Sequence, residues 1–142
     1  MPERIIKQYE VGTKVFSFTD ERRRELRGDG AGCRKITVRM YYPVTEDSIE
    51  GRQKVPYISN NKMKYIKKTY HLPKSAEIKN ETCMYENVPV AEGKKFPLVL
   101  YNHGYNAYVE ANTFLLEEIA SAGYIVASVG HSYEGVCTEY ED

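Results

Sequence analysis

The chain has 142 residues, 42% of them hydrophobic and 28% charged, which suits one globular domain with one core and argues against disorder. Lys+Arg and Asp+Glu number 20 each, so no global field draws the chain to nucleic acid or to an anionic membrane. No apolar run has the length of a membrane span, and the N-terminal residues carry no apolar signal-type segment, so a soluble, cytoplasmic protein is expected.

The local basic runs, Arg22-Arg23-Arg24 and Lys62, Lys64, Lys67, Lys68, read as solvated faces. Cys33, Cys83 and Cys137 are far apart and odd in number, which fits reduced thiols and no metal site; no cofactor is implied.

The first apolar stretch, residues 15–18, suits a short strand after a break at Gly12, with a polar turn at Thr19, Asp20 and Glu21. Gly28, Gly30 and Gly32 suit a hairpin connection. A phosphate cradle would need a feeding strand and a following helix with Lys-Ser/Thr, and neither is there. Residues 34–42 alternate Ile36, Val38, Met40 and Tyr42 against Lys35, Thr37, Arg39 and Tyr41. That is a strand with the second set on its wet face, ended by Pro43 and antiparallel to the first.

Residues 44–95 form a long polar excursion. Its one helical piece starts at a Ser59 or Asn60 cap and runs to Lys68, with Met63, Ile66 and Tyr70 as a narrow apolar stripe lying on its own domain. A connection this long is usually functional or mobile.

Residues 96–101 are almost continuously apolar, as in a parallel strand covered on both faces. The helix expected over 108–121 turns Ala111, Leu115 and Ile119 inward, with Leu116 and Ala120 widening the stripe and Phe114 extending it, leaves Glu110, Glu117 and Glu118 in water, and stops at Gly123. Residues 124–129 are then a second buried strand. This is a βαβ unit, and ligands of such sheets bind at the carboxyl ends of the strands. Two loops reach that edge, 102–107 and 130–135.

The segment Leu98-Val99-Leu100-Tyr101-Asn102-His103-Gly104-Tyr105, with LLEEIASAGYIVASVGHSYEG behind it, resembles the start of an α/β-hydrolase. The narrower likeness is to the platelet-activating-factor acetylhydrolase-like and dienelactone-hydrolase-like branch. It is supported by Met40-Tyr41-Tyr42-Pro43, by Val55-Pro56-Tyr57 and by residues 85–91. The resemblance covers roughly residues 10–142. It implies the N-terminal part of an α/β-hydrolase sheet, an antiparallel strand pair followed by a βαβ unit, in one incomplete domain over 1–142. The pair would occupy 10–43, the excursion 44–95 and the βαβ unit 96–135. It also implies an ester-hydrolysing activity on small acyl esters. His103 and Gly104 would form the oxyanion turn, and the Tyr105 backbone N–H would be one oxyanion donor. Such fixed donors strengthen as an ester oxygen gains charge, each worth about 2.7–4 kcal/mol of barrier.

A serine hydrolase of this fold also needs G-x-S-x-G, then an acid, then a histidine. Gly130-His131-Ser132-Tyr133-Glu134-Gly135 has one residue too many. In the resembled family a His-x-Tyr-Glu pattern ends this strand ahead of the nucleophile. Only Glu139, Glu141 and Asp142 follow among possible acids, and no histidine. Ser132 therefore reads as a strand-end residue, and His71 and His131 as loop residues. This chain is expected to be inactive alone and to lack the nucleophile, acid and histidine. The family strand order, 1-2-4-3-5, would leave residues 96–101 at an open edge, prone to self-association. The alternative is a non-catalytic α/β module binding a partner through that edge.

Overall fold

In the computed structural model, residues 8–26 and 32–139 are described. The glycine connection at 28–30 lies outside them. The elements are β1 (Glu10–Arg24), β2 (Cys33–Val44), a 3-10 turn (Asp47–Ile49), β3 (Lys54–Pro56), α1 (Asn60–Thr69), β4 (Glu81–Glu86), β5 (Leu98–Asn102), α2 (Thr113–Ser121) and β6 (Ile125–Val129). The strands form one mixed sheet in the order β3-β4-β1-β2-β6-β5. β1 and β2 are antiparallel, as the alternation predicts. β5 and β6 are parallel with α2 between them in sequence, and β5 lies at the sheet edge beyond β6.

Several sequence expectations need correction. β1 does not break at Gly12 and does not turn at Thr19. It runs to Arg24 because its ladder with β2 continues, with a register shift between Asp20 and Arg24. Gly12 is needed for another reason: a Cβ there would lie 2.4 Å from Cε2 of Tyr42, whose ring crosses the strand and whose hydroxyl donates to the Val88 carbonyl at 2.9 Å. Pro43 does not end β2 but pairs with Val11. The excursion holds two strands, β3 and β4, that its polar composition hides; β4 pairs parallel to β1.

The faces of β2 are reversed. Thr37, Arg39 and Tyr41 are buried, while Ile36, Val38 and Met40 are only partly covered. The reason is that tertiary partners satisfy the polar groups. Arg39 reaches Thr13 Oγ1 at 3.1 Å and the Tyr57 carbonyl at 3.3 Å, and the Tyr41 hydroxyl is 2.9 Å from Thr113 Oγ1.

The helix of the βαβ unit begins at Thr113, not 108; its buried face keeps Leu116 and Ala120 of the expected stripe but turns Phe114 and Leu115 outward. Thr113, Leu116, Glu117, Ala120 and Ser121 are buried, whereas Leu115 is exposed. Glu117 does not face water: its carboxylate accepts from the Cys83 N–H at 3.1 Å. β5 is covered on one face only. Val99 and Tyr101 pack on the core cluster of Val11, Tyr41, Met84, Leu116, Ala120 and Val126, while Leu98 and Leu100 are 59% and 66% exposed.

α1 follows its expectation closely. The Ser59 hydroxyl caps it by accepting from the Lys62 N–H at 3.1 Å, and Ile66 is buried in a second cluster with Tyr57 and Ile58. Lys62, however, is buried rather than solvated.

Burial of Tyr41 carries a pH consequence. Removal from water pushes its phenol up from 10.0 to about 12. The folded state thus holds this proton more tightly than the unfolded state. Its contribution is fully present below pH 10 and is lost as pH rises through about 12. The expected loss is on the order of 2–3 kcal/mol. Urea midpoints measured across this alkaline window should fall for the wild type. They should fall less for Tyr41→Phe, which has no proton to lose there; equal slopes would refute the assignment.

Candidate active site

β5 and β6 run parallel side by side, so the loops leaving their carboxyl ends meet. The Asn106 N–H donates to the Glu134 carbonyl at 2.8 Å, and the Val136 N–H donates to the Ala107 carbonyl at 2.8 Å. Gly135 permits this approach, since a Cβ there would sit 3.1 Å from the Ala107 oxygen. Gly130 is similarly confined, 3.0 Å from the Thr37 oxygen.

Residues 104–107 make a tight turn, with the Ala107 N–H donating to the Gly104 carbonyl at 3.1 Å. Asn106, its third residue, has φ 60°. Positive φ at that position marks a type II turn, where asparagine is the usual choice after glycine.

His103 locks this turn from below. Its Nε2 accepts from the His131 N–H at 3.2 Å. A backbone N–H can only donate, so the ring proton sits on Nδ1 and is donated to the Gly104 carbonyl at 2.9 Å. The Gly104 oxygen thus accepts from both His103 Nδ1 and the Ala107 N–H. The Gly104 carbonyl and the Tyr105 N–H belong to one planar trans peptide and point in opposite directions. Holding the carbonyl therefore aims the N–H outward. Among the described residues none accepts from that N–H, and Tyr105 is 82% exposed. A fixed backbone donor open to solvent can serve a developing oxyanion.

The other singled-out residues lie as follows. The Ser132 hydroxyl is buried and donates to the Lys35 carbonyl at 2.9 Å. His131 stacks edge-on against His103, with ring centroids 4.8 Å apart, and its Nε2 is 3.1 Å from Asn102 Oδ1. His71 is exposed at the end of α1 with φ 52°. Thus His103, Gly104, Tyr105, His131 and Ser132 share one loop cluster, and among the described residues the His71 side chain makes no hydrogen bond to that cluster. No disulfide joins the cysteines among the described residues, and burial pushes the Cys137 thiol up.

Sequence reasoning missed the groups behind the turn. Glu110, placed in water by the periodicity, is 4% exposed. Its Oε1 lies 2.6 Å from Lys62 Nζ and 3.6 Å from the Arg39 guanidinium. The half-exposed Glu139 carboxylate stands 3.8 Å from Lys62. These charges border a cavity of about 470 Å³ with Thr37, Ile58 and Val109. Nearby, the Tyr57 and Tyr108 hydroxyls are 2.7 Å apart, and burial pushes both phenols up. No local spacing could have signalled these contacts, because the partners come from four separate stretches of chain.

Among the described residues no group of His, Cys, Asp and Glu is placed to hold a metal ion, and no helix is long and apolar enough to cross a membrane.

Comparison with known proteins agrees with this architecture. A platelet-activating factor acetylhydrolase of Cavia porcellus is 37% identical over 54 residues, which are 38% of this chain and 12% of that protein. The solved structure of a ferulic acid esterase from Streptomyces cinnamoneus superposes with a TM-score of 0.71 at 26% identity, covering 91% of this chain and 35% of that one. The chain therefore spans only a minor part of each relative's length. A family model described as platelet-activating factor acetylhydrolase, isoform II, matches residues 6–141. With the mixed sheet, the βαβ unit and the His103 turn in place, this chain belongs to the platelet-activating factor acetylhydrolase isoform II family, whose relatives are ester hydrolases on the α/β-hydrolase fold.

Proposed function

We propose that this chain supplies the oxyanion-donor half of an active site that cleaves small carboxylic esters by acyl transfer. The observation that carries the reading is the Tyr105 N–H, aimed outward by a peptide whose carbonyl is held twice. When a nucleophile attacks an ester carbonyl, its oxygen gains negative charge; a prepositioned N–H then gains strength without reorganising. The acetylhydrolase and esterase relatives support the ester as substrate class. The chemistry needs no cofactor, because a serine, a histidine and a carboxylate suffice for acyl transfer.

The nucleophile, acid and base would come from outside these residues. Ser132 is a poor candidate: its hydroxyl is donated to the Lys35 carbonyl, which is no base, and it is buried. A nucleophilic serine needs a histidine to take that proton.

The chain alone should not hydrolyse a p-nitrophenyl acyl ester. In a longer protein containing it that is active, Ser132→Ala should leave kcat within about twofold, since no reacting group is removed. Turnover by residues 1–142 that Ser132→Ala abolishes would overturn this assignment.

A second reading rests on β5, whose outer face exposes Leu98 and Leu100 at the sheet edge. Such an edge can receive a partner strand or a second copy of the chain. A coding sequence with G-x-S-x-G beyond residue 142 favours the enzyme; a stop codon there favours the non-catalytic binding module.

A further inference from the structure

The polar excursion between β2 and β5 delivers a series of contacts to the loop that follows Tyr105. Along that loop, residues 106, 108 and 110 each meet a group from residues 57–70. The Tyr70 hydroxyl donates to the Asn106 carbonyl at 2.8 Å. The Tyr57 hydroxyl pairs with that of Tyr108 at 2.7 Å. Lys62 Nζ donates to Glu110 at 2.6 Å. The latter two contacts sit on a buried or half-buried base where Tyr57, Ile58 and Ile66 pack together. The Tyr70 contact is the one nearest the oxyanion donor.

Tyr70 is also fixed from its own side. It is the C-cap of α1, with its N–H donated to the Ile66 and Lys68 carbonyls. Beyond it, the Leu72 N–H donates to the Lys67 carbonyl at 2.8 Å and the His71 N–H to the Lys68 carbonyl at 3.3 Å. His71 takes the left-handed conformation between them. This pair of bonds is a Schellman stop, with histidine where glycine is usual. It gives His71 a structural role and holds the Tyr70 backbone in one place.

We infer that Tyr70 is a positioning residue for the oxyanion turn: its hydroxyl, presented by the capped end of α1, holds the Asn106 carbonyl and so keeps the Gly104–Tyr105 peptide aimed. Asn106 is gripped on both sides, its N–H by Glu134 and its carbonyl by Tyr70. With these ties the left-handed Asn106, and hence the turn, has one geometry. The excursion thereby becomes the outer wall of the site. This inference rests on the proposed role of the Tyr105 N–H.

Tyr70→Phe removes the hydroxyl and keeps the half-exposed ring. In this chain, amide exchange at Asn106 and Ala107 should speed up by about three- to tenfold, the worth of one hydrogen bond, while exchange in β6 stays unchanged. Tyr65→Phe, one turn away on α1 and 62% exposed, should change neither. In an active protein containing the chain, Tyr70→Phe should lower kcat by about three- to tenfold at constant KM, because the donor acts in the transition state. Unchanged exchange and kcat, with Tyr105→Pro still crippling kcat, would overturn this inference and leave the oxyanion reading standing. A rise in exchange that includes β6 would make the tie general packing and also overturn it. If Tyr105→Pro leaves kcat unchanged, the oxyanion reading falls and takes this inference with it.

Discussion

Glu110→Ala is expected to destabilise the fold by about 3–5 kcal/mol, the usual result of stripping a buried cation of its counter-charge. Lys62 is 6% and Arg39 8% exposed, so each relies on the carboxylate for most of its charge compensation. Glu110 Oε1 is the acceptor nearest to Lys62 Nζ, at 2.6 Å. Glu139 remains, but at 3.8 Å and half in solvent it screens rather than replaces the lost carboxylate. Asymmetry is the informative part. Only Oε1 has partners, while Oε2 is buried with none among the described residues. The protein itself therefore compensates only one of the two carboxylate oxygens. Replacing Arg39, Lys62 and Glu110 together by Met, Met and Leu should cost far less than Glu110→Ala alone, because a dry apolar cluster carries no desolvation penalty. Urea unfolding of the wild type, single and triple variants measures this. A Glu110→Ala loss below about 1 kcal/mol would place the cluster in effective contact with water.

Tyr105→Pro is expected to lower kcat by about a hundred- to a thousandfold in an active protein that contains this chain, the range for removing one oxyanion donor. Proline deletes the N–H and nothing else that the turn uses. The turn's own bond runs from the Ala107 N–H to the Gly104 carbonyl, and proline is common at the second position of a type II turn. Tyr105→Ala should have a minor effect, since the side chain is exposed and the donor is backbone. The contrast between the two variants is the test. A large loss with alanine and a small one with proline would assign the residue's role to its ring, as a substrate contact. Comparable folding of both variants, checked by unfolding midpoint, removes stability as the cause.

How much of this was legible in the sequence depends on the range of the interactions. The β1–β2 pair, the βαβ unit and the Ser59 cap of α1 follow from alternation, apolar runs and a side chain meeting a backbone N–H three residues on. The family resemblance, carried by His103-Gly104-Tyr105 and the motifs around it, holds across residues 6–141. The inward face of β2 was not legible. Hydrophobic alternation puts Val38 and Met40 inside, yet Thr37, Arg39 and Tyr41 are the buried set. The polar groups of that set are satisfied by Thr13, Tyr57, Thr113 and Glu139, none of which is near β2 in sequence except across the hairpin. The same holds for Thr113 and Glu117 on the buried face of α2 and for Glu110. An i, i+4 count weighs hydrophobicity but cannot see a lysine arriving from another segment.

By itself, the sequence determined the β1–β2 pair, α1, the strand-helix-strand unit, the glycine turn at the end of β5 and the family to which the chain belongs, because each rests on local periodicity or on a contiguous motif; β3 and β4 it did not show. Only the tertiary structure decided that His103 is a neutral clip under the turn, that Ser132 spends its hydroxyl on the Lys35 carbonyl, and that the excursion from Tyr57 to Tyr70 grips the loop after Tyr105. These are pairings of donors and acceptors far apart in the chain. They exist only once the sheet has brought the carboxyl ends of β5 and β6 together and laid α1 against them.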